Sequence, residues 1–542
     1  MQPSTGAMPV HILVDACFPF SSPSIYLSDA ALFLKIPHIE VTGKLCLLPA
    51  NARVSPSDPV GVVEWLIRDA KELIENGLNA RNTEDFAEEF NNYWNSRSEV
   101  VSPNFLLFID PTGPSRNLVY FPHSAFTLIA EDAETGEMWL KNWGFPSLKS
   151  YPTRFVWLNS PLLPSSYPAT NYDVALIAQA DGSETFEALC KFAPGHKNQL
   201  PVLLGFESKT GPAFAGVVLK ASKKVFHGFR CKSKLIPELL PRYFSDERLA
   251  PKRTHRIDPM WIHSRGGPLG GADSFFGKKA VLIGCGSLGS DIAYLLAKSG
   301  VGTLTLIDYD IMNWDNVGRH LLGADAVARS KVAAVKKLIE NQLPHISVNA
   351  IDADWEKTWR ATPNIFQEAD VIISTTAVFK SESLFNCLKK TTPDFPPIIF
   401  GWAEPYGCAG HALLVMDAGG CLSCGMSDVG DFSYRVCKWD GETTLKEPAC
   451  GDSYQPYSIL DVEPIKTMIA ELALEVLNEK ISKSQLRTWV GSRIHLEESK
   501  GSWTTDWISK HGSPGDGRIF ASYPWEKNPD CKSCKLMGKL DR

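Results

Sequence analysis

The chain has 542 residues, too many for a single hydrophobic core, so two or three domains are expected. A net charge of -6 gives no general attraction to nucleic acid or to an anionic membrane, and no apolar run is long enough to span a bilayer. With no charged start followed by a long apolar stretch, a cytoplasmic protein is expected, with neither nucleic acid nor membrane as a partner. Thirteen cysteines, an odd number, then favour metal ligation or thiol chemistry over a disulfide framework.

From Met8 to about Ser98 the sequence passes from strand-like ("HILVDACFPF", "SIYLS") to helical ("VVEWLIRDAKELIENGL", "TEDFAEEFNNYW"). Val62, Val63, Leu66, Ile67 and Leu73 keep a helical spacing, with Gly77 as the expected C-cap. Cys46 stands in "GKLCLLPA" between apolar stretches, and spacing alone places such a free cysteine in a small core. Residues 103 to 249 read as short strands and turns ("NFLLFID", "VALIAQA", "PVLLGFE", "AFAGVVLKA") without a chemical motif. The basic run "KASKKVFHGFRCKSK" within them reads as a solvated face. After the linker "RTHRIDPMWIHSRGGPLGGADSF" comes a strand, a glycine turn and a helix in "KKAVLIGCGSLGSDIAYLLAKSG".

Gly284, Gly286 and Gly289 spell G-x-G-x-x-G, which lets the backbone turn tightly and approach a phosphate chain at a helix N-terminus. Ile292, Leu295 and Leu296 give that helix an apolar face, and Gly300 is its expected cap. Asp308 closes the next strand, where a carboxylate takes ribose hydroxyls, an arrangement that a dinucleotide dehydrogenase shares. Asn316, Arg319 and Lys331 follow, a polar and cationic set suited to a triphosphate rather than a nicotinamide. Further on, Cys421-x-x-Cys424 and Cys531-x-x-Cys534 provide four thiolates at the spacing of a closed, structural tetrahedral Zn2+ site. Cys450 lies in a polar loop before a long helix carrying Ile465, Met468, Ile469 and Leu472, and Cys437 is a competing thiol.

The glycine turn, the strand ending "DYD", Asn316-x-x-Arg319 and the lysine a dozen residues later resemble the ThiF/MoeB superfamily, whose adenylating domain is shared with ubiquitin-activating enzymes. The resemblance implies that ATP is the nucleotide, that Asp308 binds ribose, and that Asn316, Arg319 and Lys331 hold the phosphates. In the family an Asp that helps hold Mg2+ falls where this sequence has Ala377, and an arginine arrives from a partner subunit, here Arg256 or Arg265. It also implies a homodimer, the paired zinc knuckles, and an acyl-accepting thiol at Cys450.

"FPFSSPSIYL" followed by "PHIEVTGKLCLLP" resembles the core of a ubiquitin-conjugating enzyme, which makes Cys46 an acyl-accepting thiol in its turn. The family's His-Pro-Asn reads Pro37-His38-Ile39, leaving no counterpart to the oxyanion asparagine, and the initial helix and first strand are missing. The whole order is similar to the fused activating and conjugating enzymes of bacterial CBASS antiphage systems. The expected build is therefore α/β multidomain: residues 1–102 an α+β conjugating-enzyme-like domain, 103–254 an α/β linker domain of unassigned role, and 255–542 a Rossmann-type adenylating domain. The implied substrate is the C-terminal tail of a cGAS/DncV-like nucleotidyltransferase, passed through thioesters at Cys450 and Cys46 to a target protein amine. Sulfur-carrier activation, and a nucleotide-binding scaffold that has lost its chemistry, are the alternatives.

Overall fold

The computed structural model describes residues 9–28, 32–48, 52, 54–98, 103–230, 235–245, 247–265, 275–427, 430–446 and 453–537. Two compact units form, one from Met1–Glu137 with Ser147–Asp258, the other from Met138–Pro146 with Pro259–Arg542. Among the described residues no helix is long and apolar enough to cross a membrane.

In the first unit, β1 (Val10–Leu13) pairs antiparallel with β2 (Ser24–Leu27). Alternation along β2 turns Ile25 and Leu27 into a small core with Ile36, Ile39, Leu45, Leu66 and Ala70. Helix Pro59–Leu78 opens on Asp58, whose carboxylate accepts from Gly61 N, with Pro at its first position. It ends at Asn79, so Gly77 is not the C-cap. A Cβ there would come within 2.2 Å of Ile36 Cγ2, so the glycine serves close packing. Helix Phe90–Asn95 sends Phe90 and Trp94 into the core of a larger sheet, where the Trp94 indole N–H donates to Lys252 O at 3.1 Å.

That sheet has eight strands: β3 (Asn104–Phe108), β4 (Arg116–Pro122), β5 (Phe126–Ala130), β6 (Tyr151–Leu158), β7 (Gln199–Ser208), β8 (Gly211–Lys220), β9 (Ala250–Lys252) and β10 (Thr254–Arg256). Their spatial order is β10-β3-β5-β4-β6-β7-β8-β9. β7 and β8 are buried almost end to end, which is why they read as unbroken apolar runs. β10 runs parallel to β3, so the stretch that reads as the start of a linker completes a sheet edge.

The second unit holds β11 (Lys279–Ile283), β12 (Thr303–Ile307), β13 (Ser347–Ile351), β14 (Val371–Ser374), β15 (Ile398–Ala403), β16 (Ala409–Val415), β17 (Cys437–Trp439), β18 (Leu445–Lys446), β19 (Ser453–Tyr454), β20 (Gln485–Ser492), β21 (Gly501–Trp503) and β22 (Gly517–Pro524). Eight of them form one sheet in the order β13-β12-β11-β14-β15-β16-β20-β22, parallel as far as β15 and antiparallel beyond. The chain leaves β11 toward β12 and returns to its other side at β14. This makes the carboxyl ends of β11 and β14 the switch point, where open α/β sheets bind ligands. Helix Gly289–Lys298 buries Ile292 and Leu296, leaves Leu295 half-buried, and is followed by Gly300 at φ +94° in the expected capping role.

Candidate functional site

β11 ends at Ile283 and the chain turns through Gly284 at φ +87°. A Cβ on Gly289 would lie 1.8 Å from Gly284 O, so only glycine lets the helix start so close to the strand end. Nothing stands within 4 Å of a Cβ placed on Gly286, which faces open space. Asp308 braces this turn: one carboxylate oxygen accepts from Cys285 N at 2.7 Å and the other from Asp310 N at 2.8 Å.

Two neighbouring cavities open here. One of 370 Å³ is bordered by Gly284, Asp308, Asp310, Lys331 and Trp355. The other, of 360 Å³, is lined by Gly286, Asn316, Arg319, Lys331, Thr376 and Trp402. The structure thus brings together Gly284, Gly286, Asp308, Asn316, Arg319 and Lys331, while Gly289 lies behind the turn and shapes it. The side chain of Lys331 is nearly buried and meets Asp310 at 2.9 Å. Arg319 sits over the rings of Tyr454 and Tyr457, 5.9 and 5.1 Å from their centroids, and donates to Gln455 O at 3.2 Å.

Sequence reasoning missed Thr375, Thr376, Trp402 and His320, which also border the second cavity. Small hydroxyl residues directly after the buried strand "VIIS" were the available signal, since they fall at the switch point. Burial holds the His320 imidazole below its usual pKa. Nδ1 accepts from Leu322 N and Nε2 lies 2.7 Å from Cys285 O, so the proton rests on Nε2.

Ala377 stands where a magnesium-holding Asp was expected, at φ +52°. Beneath it, Glu382 Oε1 accepts from Ser374 Oγ, Thr376 Oγ1 and Ala377 N, at 3.2 to 3.3 Å. Burial pushes this carboxyl up to about 7. The folded state therefore holds the proton more tightly than the unfolded chain, and the stability this confers is lost as pH rises toward and through 7. Glu382→Gln is expected to raise the melting temperature above wild type at pH 8 and to match it near pH 4, as calorimetry at the two pH values would show. Of the two linker arginines, Arg256 forms a two-pronged ion pair with Asp258, both contacts at 2.8 Å, whereas Arg265 is exposed.

A long segment between β16 and helix Ile459–Leu477 borders the same region. β17 pairs with β21, and buried Glu404 accepts from Val436 N at 2.7 Å and Cys437 N at 2.9 Å while meeting His411 Nε2 at 2.8 Å. Cys437 is consequently buried, its thiol pushed far up by burial and then by Glu404, which removes it as a nucleophile. β18 and β19 pair antiparallel, and Cys450 between them lies outside the described residues. Helix Ile459–Leu477 begins at a reciprocal cap between Ser458 and Asp461.

The sulfur atoms of Cys421, Cys424, Cys531 and Cys534 all lie within 4.8 Å of one another. Four of the sulfur–sulfur contacts run 3.5 to 3.8 Å, against ~3.8 Å for sulfur atoms around a tetrahedral ion at a 2.3 Å bond length. The set can hold a metal ion.

Cys46 is exposed, contrary to the expectation from spacing, because Leu45 beside it fills the core position and alternation turns Cys46 outward. Its backbone N–H donates to His38 O at 2.8 Å. The thiol opens into a 430 Å³ cleft bordered by His38, Glu40, Glu89, Tyr93 and Arg253, with Glu40 Oε1 3.5 Å from the sulfur. The surrounding atoms and then the Glu40 charge push this thiol up to about 11. His38 lies 3.0 Å from Asp85 and 3.2 Å from Glu89; chiefly the Glu89 hydrogen bond raises it to about 9, so it is charged at neutral pH.

Residues 268–490 match the model of the ThiF family and residues 1–103 that of prokaryotic E2 family B. An ATP-dependent ubiquitin transferase-like protein Cap2 of Pseudomonas aeruginosa is 25% identical over 498 residues, covering 87% of this chain and 85% of that protein. The molybdopterin-synthase adenylyltransferase of Haemophilus influenzae is 33% identical over 20% of this chain and 43% of its own. A crystal structure of Escherichia coli MccB with MccA-N7isoASN covers 48% of this chain and 69% of that one, at 18% identity and a TM-score of 0.34. The match to the ThiF family over residues 268–490 and the match to prokaryotic E2 family B over residues 1–103 thus meet in one chain, and that chain is similar along most of its length to a ubiquitin transferase-like Cap2 protein.

Proposed function

We propose that the chain uses ATP to activate the C-terminus of a partner protein and passes the acyl group through Cys450 and Cys46 to a target amine. The observation that carries this reading is the pairing, in one chain, of a cleft gathering Asn316, Arg319 and Lys331 with an exposed thiol in a separate cleft at Cys46. The carboxylate of the tail attacks the α-phosphorus of ATP, giving acyl-adenylate and pyrophosphate, while Arg319 and Lys331 offset the developing phosphate charge. Cys450 displaces AMP, Cys46 takes the acyl group by thioester exchange, and the amine closes the sequence. In the CBASS context of the resemblance, the partner is a cGAS/DncV-like nucleotidyltransferase and the product primes antiphage signalling.

Magnesium belongs with ATP in this chemistry and lowers the charge of the phosphates. Asp310 is the residue suited to hold it with those phosphates, since Asp308 spends both oxygens on backbone N–H groups. Zinc at the four cysteines would fix the fold and take no part in the reaction, because four thiolates leave no open position. We place 1–102, 103–254 and 255–542 as conjugating-like, linker and adenylating domains, and the working form as a homodimer.

Pyrophosphate exchange with the purified chain and a candidate partner tests the first step, and the Cys46→Ala variant tests the last. Exchange is expected to persist in that variant while conjugated product disappears. Unchanged product would instead favour sulfur-carrier activation, the reading that the Haemophilus likeness supports, and absent exchange with every candidate tail would favour a scaffold.

A further inference from the structure

The cleft around Cys46 holds several groups able to exchange protons, and nearly all of them are committed elsewhere. His38 has Asp85 on one ring nitrogen and Glu89 on the other. Glu89 also accepts from the Tyr93 hydroxyl at 3.0 Å, while that hydroxyl accepts from His38 N at 2.6 Å. Tyr93 is pushed far up by burial and cannot serve as a base near neutrality. Arg253 and Lys44 are cations, and a protonated His38 with a carboxylate on each nitrogen has no site for another proton. Glu40 differs. Among the described residues its carboxylate has one hydrogen-bond partner, the Cys46 sulfur at 3.5 Å.

We propose that Glu40 is the base that removes the Cys46 proton during acyl transfer and returns a proton to the departing sulfur. The proposal rests on the reading of Cys46 as an acyl-accepting thiol. As the Cys46 sulfur forms its bond to the thioester carbon, its proton passes to Glu40 and the bond from that carbon to the Cys450 sulfur breaks. Glu40 then delivers the proton to the released thiolate. In the second transfer the amine nitrogen forms the C–N bond, its proton goes to Glu40, the C–S bond to Cys46 breaks, and the sulfur recovers the proton. Atoms and charges balance without any added reagent.

A resting carboxylate beside the thiol has a cost: its charge, with that of Glu89, disfavours the free thiolate, while Lys44 acts the other way. Cys46 is thus kept protonated until an acyl donor arrives, which protects it from stray electrophiles, and the proton must then leave within the transfer step. Two measurements on the full chain consequently move in opposite directions in Glu40→Gln. Alkylation of Cys46 by iodoacetamide at pH 8, followed on the Cys46 peptide by mass spectrometry, is expected to rise several-fold because the repelling charge is gone. Loading of Cys46 from the preformed Cys450 thioester is expected to fall about 100-fold, the usual worth of a positioned base.

Loading at the wild-type rate would overturn the proposal, and so would a fall in both rates, since loss of a carboxylate cannot make the sulfur less acidic. Cys46→Ala separates this failure from that of the broader reading. If Cys46→Ala abolishes product while Glu40→Gln loads normally, only the role of Glu40 is wrong. If Cys46→Ala still forms product, the thioester at Cys46 is wrong.

Discussion

Lys331→Ala is expected to lower ATP–pyrophosphate exchange by about 10²- to 10³-fold, the range typical for deleting one preorganised donor to a developing anion. Lys331 opens helix Lys331–Gln342, where it is buried and lines both cavities at the switch point. Its ion pair with Asp310 keeps the ammonium beside the place where the phosphates would lie, so the group is already positioned when the reaction begins. The same substitution leaves the Asp310 carboxylate, half exposed, to be hydrated, so melting temperature should change little while exchange collapses. Arg319→Ala should lower exchange too, but with a second signature. Arg319 also holds Gln455 O and the rings of Tyr454 and Tyr457, so limited proteolysis near residue 455 should accelerate in that variant and not in Lys331→Ala. Equal exchange in Lys331→Ala and wild type would remove the phosphate role.

The glycine turn after β11 was legible because its requirements are local. A glycine at φ +87° and another 1.8 Å from a carbonyl leave their mark at fixed spacing, whatever the rest of the chain does. The parallel strands were legible for a similar reason, as apolar runs covered on both faces. What could not be read depends on residues far apart in sequence. The cleft at Cys46 combines Glu40 on one turn, Glu89 and Tyr93 near residue 90, and Arg253 from between the two edge strands of an eight-stranded sheet. Gly77 shows the same limit, since a glycine near the end of a helical pattern looks like a cap until Ile36 is found against it. Cys437 looked like a rival thiol to Cys450. Only the fold reveals Glu404, thirty-three residues earlier, bonded to its backbone N–H and burying it.

Removing the metal proposed for the four cysteines should cost the structure far more than any single contact. Cys421 and Cys531 are buried with Leu422, Phe385 and Trp525, and the Trp525 N–H donates to Cys421 O at 2.9 Å, so the sulfur cluster and the aromatic core share one volume. Charge on neighbouring sulfurs is mutually unfavourable here: the hydrogen bond to Cys424 and then burial push Cys421 up, burial chiefly raises Cys534 to about 11, and the hydrogen bond from Cys421 holds Cys424 down. A divalent cation converts that repulsion into four bonds, and its binding energy becomes folding energy. Cys421→Ser is therefore expected to lower the melting temperature by on the order of 10 °C. A strong chelator acting on the wild type should do the same, with a change in Trp525 fluorescence. Damage should begin where the chain is tied down least otherwise. The segment beyond edge strand β22 is held to the cysteine turn by Trp525, Asn528 and Ser533, which bond to Cys421 O, Cys424 Sγ and Ser423 Oγ, so proteolysis after residue 524 should appear first once that turn loosens. Elemental analysis is expected to find about one zinc per chain, the stoichiometry of a single four-thiolate site, and a value below about half would contradict it.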